Sequence, residues 1–202
     1  AGLDVLLMMD SVTRFCHAQR EIGLSAGEPP TVRGFPPSAF ALLPGMLERA
    51  GTSERGSITG FYTVLMDADE ESDPVADTVR AILDGHLFLS RQLAGRAVYP
   101  AIDPTLSVSR LIMDLASDAE YRLGLRAREL WGEYERVRDL IEIGAYQKGS
   151  DPRVDQAIAC QPRLIEFLKQ PLGKSLTRAE SLDLLRTALG PAATTPMPAE
   201  GG

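Results

Sequence analysis

The chain has 202 residues, 44% of them hydrophobic, enough for one sizeable core or a core with a smaller satellite. Its formal net charge of −7 excludes the basic footprint of a nucleic-acid binder and suits a basic partner instead. No apolar run reaches the ~18 residues of a membrane span. Cys16 and Cys160 stand far apart with no metal-ligand spacing, so a reduced, cytoplasmic compartment is expected.

The opening residues, Ala1-Gly2-Leu3-Asp4, carry no basic segment of the signal-peptide kind and lead straight into an apolar run without a methionine, which reads as a fragment. That run, residues 5–9, ends at Asp10 and predicts a strand buried on both faces of a parallel sheet. Residues 11–24 read as a helix. Residues 27–37 hold Pro29, Pro30, Pro36 and Pro37 and form a loop. Residues 38–50 are helical, and residues 57–66, rich in β-formers, predict a second buried strand. An acidic loop follows with Asp67, Asp69, Glu70, Glu71 and Asp73 and no basic residue among them. Asp73-Pro74 then starts a helix running to about Asp84, with a carboxylate cap and a proline in the first turn. Residues 86–90 allow a third short strand. Strands alternating with helices predict an α/β layer with a parallel sheet.

Beyond residue 115 the pattern changes. Leu123, Ala127, Leu130, Tyr134, Val137 and Ile141 step by four and three along one face of a long amphipathic helix. Asp151-Pro152 starts another helix, and the capping box Thr177-x-x-Glu180 opens a third. The expected domains are therefore residues 1–115, α/β, and 116–190, all helical. The Pro/Ala/Thr/Gly-rich residues 191–202 form a tail expected to be disordered.

Asp10 is the first residue with a chemical reading. An apolar strand ending in an acid sets a carboxylate at the carboxyl edge of a parallel sheet, where α/β folds bind ligands. The plainer alternative is a cap for the helix that follows. Its sequence context extends the reading: Asp10-Ser11-Val12-Thr13-Arg14, Ala18-Gln19-Arg20-Glu21-Ile22, Gly27-Glu28-Pro29-Pro30 and Gly34-Phe35-Pro36-Pro37-Ser38. Further on come Leu47-Glu48-Arg49-Ala50-Gly51, Ala81-Ile82-Leu83-Asp84-Gly85-His86, Tyr99-Pro100-Ala101-Ile102-Asp103, Ser107-Val108-Ser109-Arg110 and Gly149-Ser150-Asp151-Pro152. In this order, over roughly residues 3–189, these segments resemble the flagellar and type III secretion ATPases, cousins of the catalytic subunit of the rotary ATP synthase.

The resemblance implies the second part of a RecA-like P-loop ATPase core, from the Walker B strand onward, followed by an all-α C-terminal domain. It implies ATP and Mg²⁺ as cofactors, with Asp10 as the Mg²⁺-coordinating acid and Arg14 beside the active site. The plain alternative for Arg14 is an ion pair with Asp10. Arg110 matches an arginine that the family supplies from the neighbouring subunit to the γ-phosphate, where charge spreads in phosphoryl transfer. Tyr99 matches the aromatic residue stacked on adenine. Asp67, Asp69, Glu70, Glu71 and Asp73, with the proline-rich loop, match segments facing a central channel, where acids suit a basic stalk.

The implied partners are five further copies in a homo-hexamer, a central coiled-coil stalk protein, a peripheral-stalk regulator, and the export gate with its chaperone–substrate complexes. The implied place is cytoplasmic, peripheral to the inner membrane. In the family the phosphate-binding loop and the water-orienting glutamate precede this strand, so the chain alone is expected not to turn ATP over, and to associate or aggregate through its cut sheet. Flagellar export is the first functional reading. The virulence injectisome and a non-catalytic nucleotide-binding ring subunit are the alternatives. Gly173-Lys174-Ser175 is a decoy, since Leu168 stands where a phosphate-binding loop needs glycine. Cys16, His17 and Trp131 read as structural.

Overall fold

The computed structural model describes residues 2–66 and 73–190, which divide into two compact units at Asp84/Gly85. In the first unit, strand β1 (Asp4–Met9) runs parallel to β3 (Ser57–Tyr62), with Asp4 opposite Ser57 and Met9 opposite Tyr62. A two-residue strand, β2 (Gly51–Thr52), folds back antiparallel on β3, giving the order β1-β3-β2. β2 has no pattern of its own in the sequence, because two residues cannot show a period.

Three helices complete this unit. The α1 helix (Val12–Ser25) is capped by the Ser11 side chain, which accepts from the Arg14 N–H. The α2 helix (Pro37–Leu47) starts on a proline, and Glu28 Oε2 accepts from the Ser38 N–H in its first turn. The α3 helix (Pro74–Ile82) is capped by Asp73, whose carboxylate accepts from Val75 and Ala76. Val12, Cys16, Ala39, Leu43, Leu47, Val75 and Val79 bury together where these helices meet. Around them pack Met9, Tyr62 and Val64, residues at the carboxyl ends of the strands.

The expectation that both strands are buried on both faces is wrong for this structure. Leu6 is 61% exposed, Met8 74% and Phe61 56%. The helices gather at the carboxyl ends of β1 and β3 and leave the strand bodies uncovered, and β1 is an edge strand of the sheet. An apolar edge strand of this kind favours pairing with another chain.

In the second unit, residues 86–90 do not extend the parallel sheet. β4 (Gly85–His86) pairs antiparallel with β5 (Val108–Ser109) in a separate ribbon, and Leu89 bridges Ile102. Between them lies the short α4 helix (Arg91–Gly95), capped by Ser90. After α5 (Ile112–Leu115) come the long α6 (Asp118–Glu142), then α7 (Pro152–Leu168) and α8 (Arg178–Leu189). Asp151 caps α7. Leu130, Trp131, Ala157, Cys160, Leu164 and Leu189 form the core, and Leu93 and Val98 are buried in the same cluster. Residues 85–115 thus share their core with the helical part, which is why the compact units divide upstream of the pattern change near residue 115.

Two helix starts are reciprocal capping boxes, the Thr177 one expected from the sequence and the Ser117 one found only in the structure. Ser117 accepts from the Glu120 N–H while Glu120 accepts from the Ser117 N–H, and Thr177 and Glu180 repeat the arrangement at α8. Hydrogen bonds from Ser117 hold the Glu120 carboxyl below its usual range, and those from Thr177 do the same for Glu180. A carboxyl depressed in the folded state stabilises the fold above its unfolded pKa and loses that contribution as pH falls through the folded value. We therefore expect Ser117→Ala and Thr177→Ala to lower the melting temperature at neutral pH, and the difference from wild type to shrink under acid. Calorimetry across that range checks it.

Both cysteines are free and buried. Burial first, then the Asp73 carboxylate, push the Cys16 thiol up to about 11. Reactivity needs an accessible thiolate. Ellman's reagent at pH 8 is therefore expected to titrate neither thiol in the native chain, and both after guanidinium.

Candidate functional site

Asp10 follows the last residue of β1, at the carboxyl end of the parallel pair. The strands are clamped there. The Thr63 N–H donates to the Met9 carbonyl (3.0 Å) and the Val12 N–H to the Thr63 carbonyl (3.0 Å). The Thr13 hydroxyl donates to the Leu65 carbonyl and accepts the Leu65 N–H at 2.8 Å. Between these ties the Thr63 hydroxyl donates to Asp10 Oδ1 at 2.6 Å. The carboxylate is exposed, yet one of its oxygens is fixed by the neighbouring strand. The cap of α1 is Ser11, so the helix-cap alternative for Asp10 does not hold. The Asp10–Ser11 peptide bond is cis.

Among the described residues no ion pair joins Asp10 to Arg14, which sits exposed in the first turn of α1. Six residues further along α1, the Arg20 guanidinium lies 5.7 Å from the centre of the Phe35 ring, and the His17 ring packs on the same Phe35 ring with 5.5 Å between centroids. Phe35 is itself buried at the end of the proline-rich loop, which the Thr31 hydroxyl and N–H close by donating to the Phe35 carbonyl. Of the acids assigned to a stalk, Asp67, Asp69, Glu70 and Glu71 lie outside the described residues. Asp73 is the α3 cap, with its carboxylate occupied by backbone N–H groups.

Tyr99 and Arg110 belong to the second unit. Tyr99 is 57% exposed, its bond to Pro100 is cis, and its carbonyl accepts the Gln170 N–H at 2.8 Å. That tie joins the Tyr99 turn to the connection between α7 and α8, where Leu172 is fully exposed. Gly173-Lys174-Ser175 lies in the same exposed connection rather than after a strand, as its rejection requires.

Arg110 follows β5 and is exposed. The segment before it is built by Asp103, whose Oδ1 accepts from the Thr105 N–H, the Thr105 hydroxyl and the Leu106 N–H. The Ser107 hydroxyl donates to the Asp103 carbonyl at 2.6 Å and accepts the Phe88 N–H at 3.0 Å. His86 Nε2 meets the Leu106 carbonyl at 2.9 Å. The first serine of the Ser-x-Ser-Arg motif is thus a strut of the turn that delivers Arg110.

Thr63, Asp103 and Gln170 escaped the sequence reading. Asp103 carried a local signal, an Asp with Thr two residues on, the pattern of an Asx turn. Thr63 and Gln170 act through chain segments far away in sequence, and one sequence does not show which strands pair.

The set fits a divalent cation of the Mg²⁺ kind. Such an ion takes one or two carboxylates, keeps several waters and shares phosphate oxygens. Asp10 offers one exposed carboxylate, and among the described residues no group of three or more His, Cys, Asp or Glu forms an all-protein cage. Among the described residues, too, no helix is long and apolar enough to cross a membrane.

Residues 1–109 match the ATP synthase alpha/beta family, nucleotide-binding domain, and residues 116–187 match the T3SS EscN ATPase C-terminal domain. The chain is 48% identical over 189 residues to a flagellum-specific ATP synthase of Bacillus subtilis, covering 94% of this chain and 43% of that protein. It is 52% identical over 184 residues to a type 3 secretion system ATPase of Xanthomonas euvesicatoria, covering 91% and 42%. Among solved structures it superposes on the assembled ATPase EscN of the enteropathogenic E. coli type III secretion system with a TM-score of 0.87 and 42% identity, over 92% of this chain and 45% of that one. A second structure of EscN, with its central stalk EscO, gives a TM-score of 0.81, 41% identity, and coverage of 92% and 44%. The chain spans less than half the length of these relatives.

Proposed function

The chain belongs to the flagellar and type III secretion branch of the ATP synthase alpha/beta nucleotide-binding family, and on that premise we propose that it serves ATP hydrolysis that energises type III protein export. The observation that carries the proposal is the Asp10 carboxylate, held at the carboxyl end of two parallel strands by the Thr63 hydroxyl at 2.6 Å. Flagellar and injectisome relatives lie close together in identity, at 48% and 52%, so export is the function proposed and neither apparatus is singled out.

In this reading Asp10 would hold Mg²⁺, which would supply neutralisation of negative charge on the nucleotide phosphates. Thr63 fixes one Asp10 oxygen, and the other would be available to hold such an ion. Arg14 adds positive charge one turn along α1. Tyr99 gives a flat, exposed face to the adenine, and its carbonyl is tied to the Gln170 N–H. Arg110 supplies a guanidinium to the γ-phosphate of a neighbouring subunit in a homo-hexamer. The acids at 67–73 and the proline-rich loop meet a basic stalk, and a peripheral-stalk regulator and the export gate with its chaperone–substrate complexes complete the set of partners, at the cytoplasmic side of the inner membrane.

A phosphate-binding loop does not occur among the 202 residues. The test therefore uses the assembled ATPase whose subunits carry this chain. Thr63→Val removes the donor to Asp10 and keeps the side chain's shape. Because a hydrogen bond to a charged group contributes more than a neutral one, the Mg²⁺ concentration for half-maximal phosphate release is expected to rise roughly tenfold. A Mg²⁺ titration that superposes on wild type would sink the assignment of Asp10.

A further inference from the structure

The second unit contains a cavity of about 390 Å³ that is lined by neither Tyr99 nor Arg110. Its walls are Val108 of β5, Gly124, Ala127 and Trp131 of α6, and Leu164 and Phe167 of α7. That volume lies in the range of small-molecule pockets, which are apolar with a few polar groups.

The charged groups at its rim are already engaged. Glu120 accepts from Ser117 and pairs with Arg178 at 3.1 Å, and Arg128 donates to the Thr105 carbonyl at 3.2 Å. His86 is bonded to the Leu106 carbonyl, and the Ser107 hydroxyl to Asp103 and Phe88. The lining itself is largely apolar, so contact with a ligand there would be mainly apolar. The Tyr121 and Ser109 hydroxyls remain on the same wall as neutral polar groups.

Gly124 is the position on this wall where the cavity is most simply altered. It lies inside α6, where glycine costs helix stability relative to alanine. A Cβ built there meets nothing within 4 Å, so no neighbour requires the gap. Gly124 is one of the lining residues, and a larger side chain has room at that position.

We infer that this cavity is a binding site for a mainly apolar molecule of drug size, seated between the β4–β5 ribbon, α6 and α7. Its wall includes Ser107, Val108 and Ser109, the three residues before Arg110, so occupancy braces the strand that carries that arginine. The bracing gains functional meaning only through the role proposed for Arg110, whereas binding does not depend on it.

Trp131 is the single tryptophan of the chain and lines the cavity, so it reports directly. The probe is N-phenyl-1-naphthylamine, neutral and aromatic, titrated into the purified chain with no nucleotide present. Saturable quenching of Trp131 with rising probe emission is expected. Gly124→Leu fills the space and should weaken binding roughly tenfold or more. Gly132→Leu, on the same helix, outside the lining and with nothing within 4 Å of its built Cβ, should bind like wild type. At saturation, amide hydrogen exchange across residues 106–113 should slow in wild type and not in Gly124→Leu. Absent quenching, or equal binding by Gly124→Leu, overturns the site, and binding without slower exchange overturns the bracing.

Discussion

Replacing Arg110 with alanine is expected to lower ATP turnover by about 10³-fold or more in the assembled enzyme while leaving assembly intact. The size follows from the chemistry. Phosphoryl transfer spreads negative charge over the γ-phosphate oxygens, and little beyond positioning and electrostatics remains for the protein to supply. A guanidinium offers two parallel donors in a fixed fork, so Arg110→Lys, which keeps the charge and loses the fork, should fall between the two. The scaffold argues for a positioned residue rather than a stray surface arginine. Asp103 and Ser107 tie the preceding turn with five hydrogen bonds: three on Asp103 Oδ1, one from the Ser107 hydroxyl and one to it. If the arginine is given by one subunit to the next, wild-type specific activity rises with protein concentration until assembly saturates. Turnover by Arg110→Ala at the wild-type rate would assign the residue to architecture and reopen the non-catalytic ring-subunit reading.

Much of this arrangement was legible in the sequence because its signals are local. The Asp73, Asp151 and Thr177 starts, the long apolar stripe of α6 and the strand ending at Asp10 each lie within one stretch of chain. The family model over residues 1–109 and the second over 116–187 agree with the resemblance carried by the Asp10, Tyr99 and Ser-x-Ser-Arg segments. What stayed hidden is relational. An apolar run such as residues 5–9 states that burial is favourable, but not which surface provides it, and here β1 has a partner on one edge and exposed faces. Residues 86–90 allowed a third short strand beside the other two. Its actual partner, Val108–Ser109, stands more than twenty residues away, and antiparallel pairing over that distance leaves no periodic trace. The same holds for Thr63, a residue at the end of a β-rich run that becomes informative only when β3 is placed beside β1.

Gly85→Ala should be the second most damaging substitution, with turnover falling about 10²-fold, the order of loss expected when a catalytic group is misplaced by about an ångström. Gly85 pairs with Ser109 across the ribbon, and a Cβ there would stand 2.5 Å from the Val108 carbonyl oxygen and 3.1 Å from Ser109 Cα. Both neighbours are backbone. No rotamer change relieves the overlap, so β5 must move away from β4. Ser109 is bonded covalently to Arg110, and the His86–Leu106 contact is on the same ribbon, so the displacement reaches the arginine first. The core of Leu130, Trp131, Leu164 and Leu189 does not include Gly85, so the fold should persist, with Trp131 emission and melting close to wild type. Gly95→Ala, where a built Cβ meets nothing within 4 Å, is the matched control and should leave turnover unchanged. If Gly85→Ala lost activity and melted early together, the loss would be one of folding. If it kept both, the ribbon would not be what holds Arg110 in place. Activity lost on an intact fold is the outcome expected from a backbone contact that positions one guanidinium.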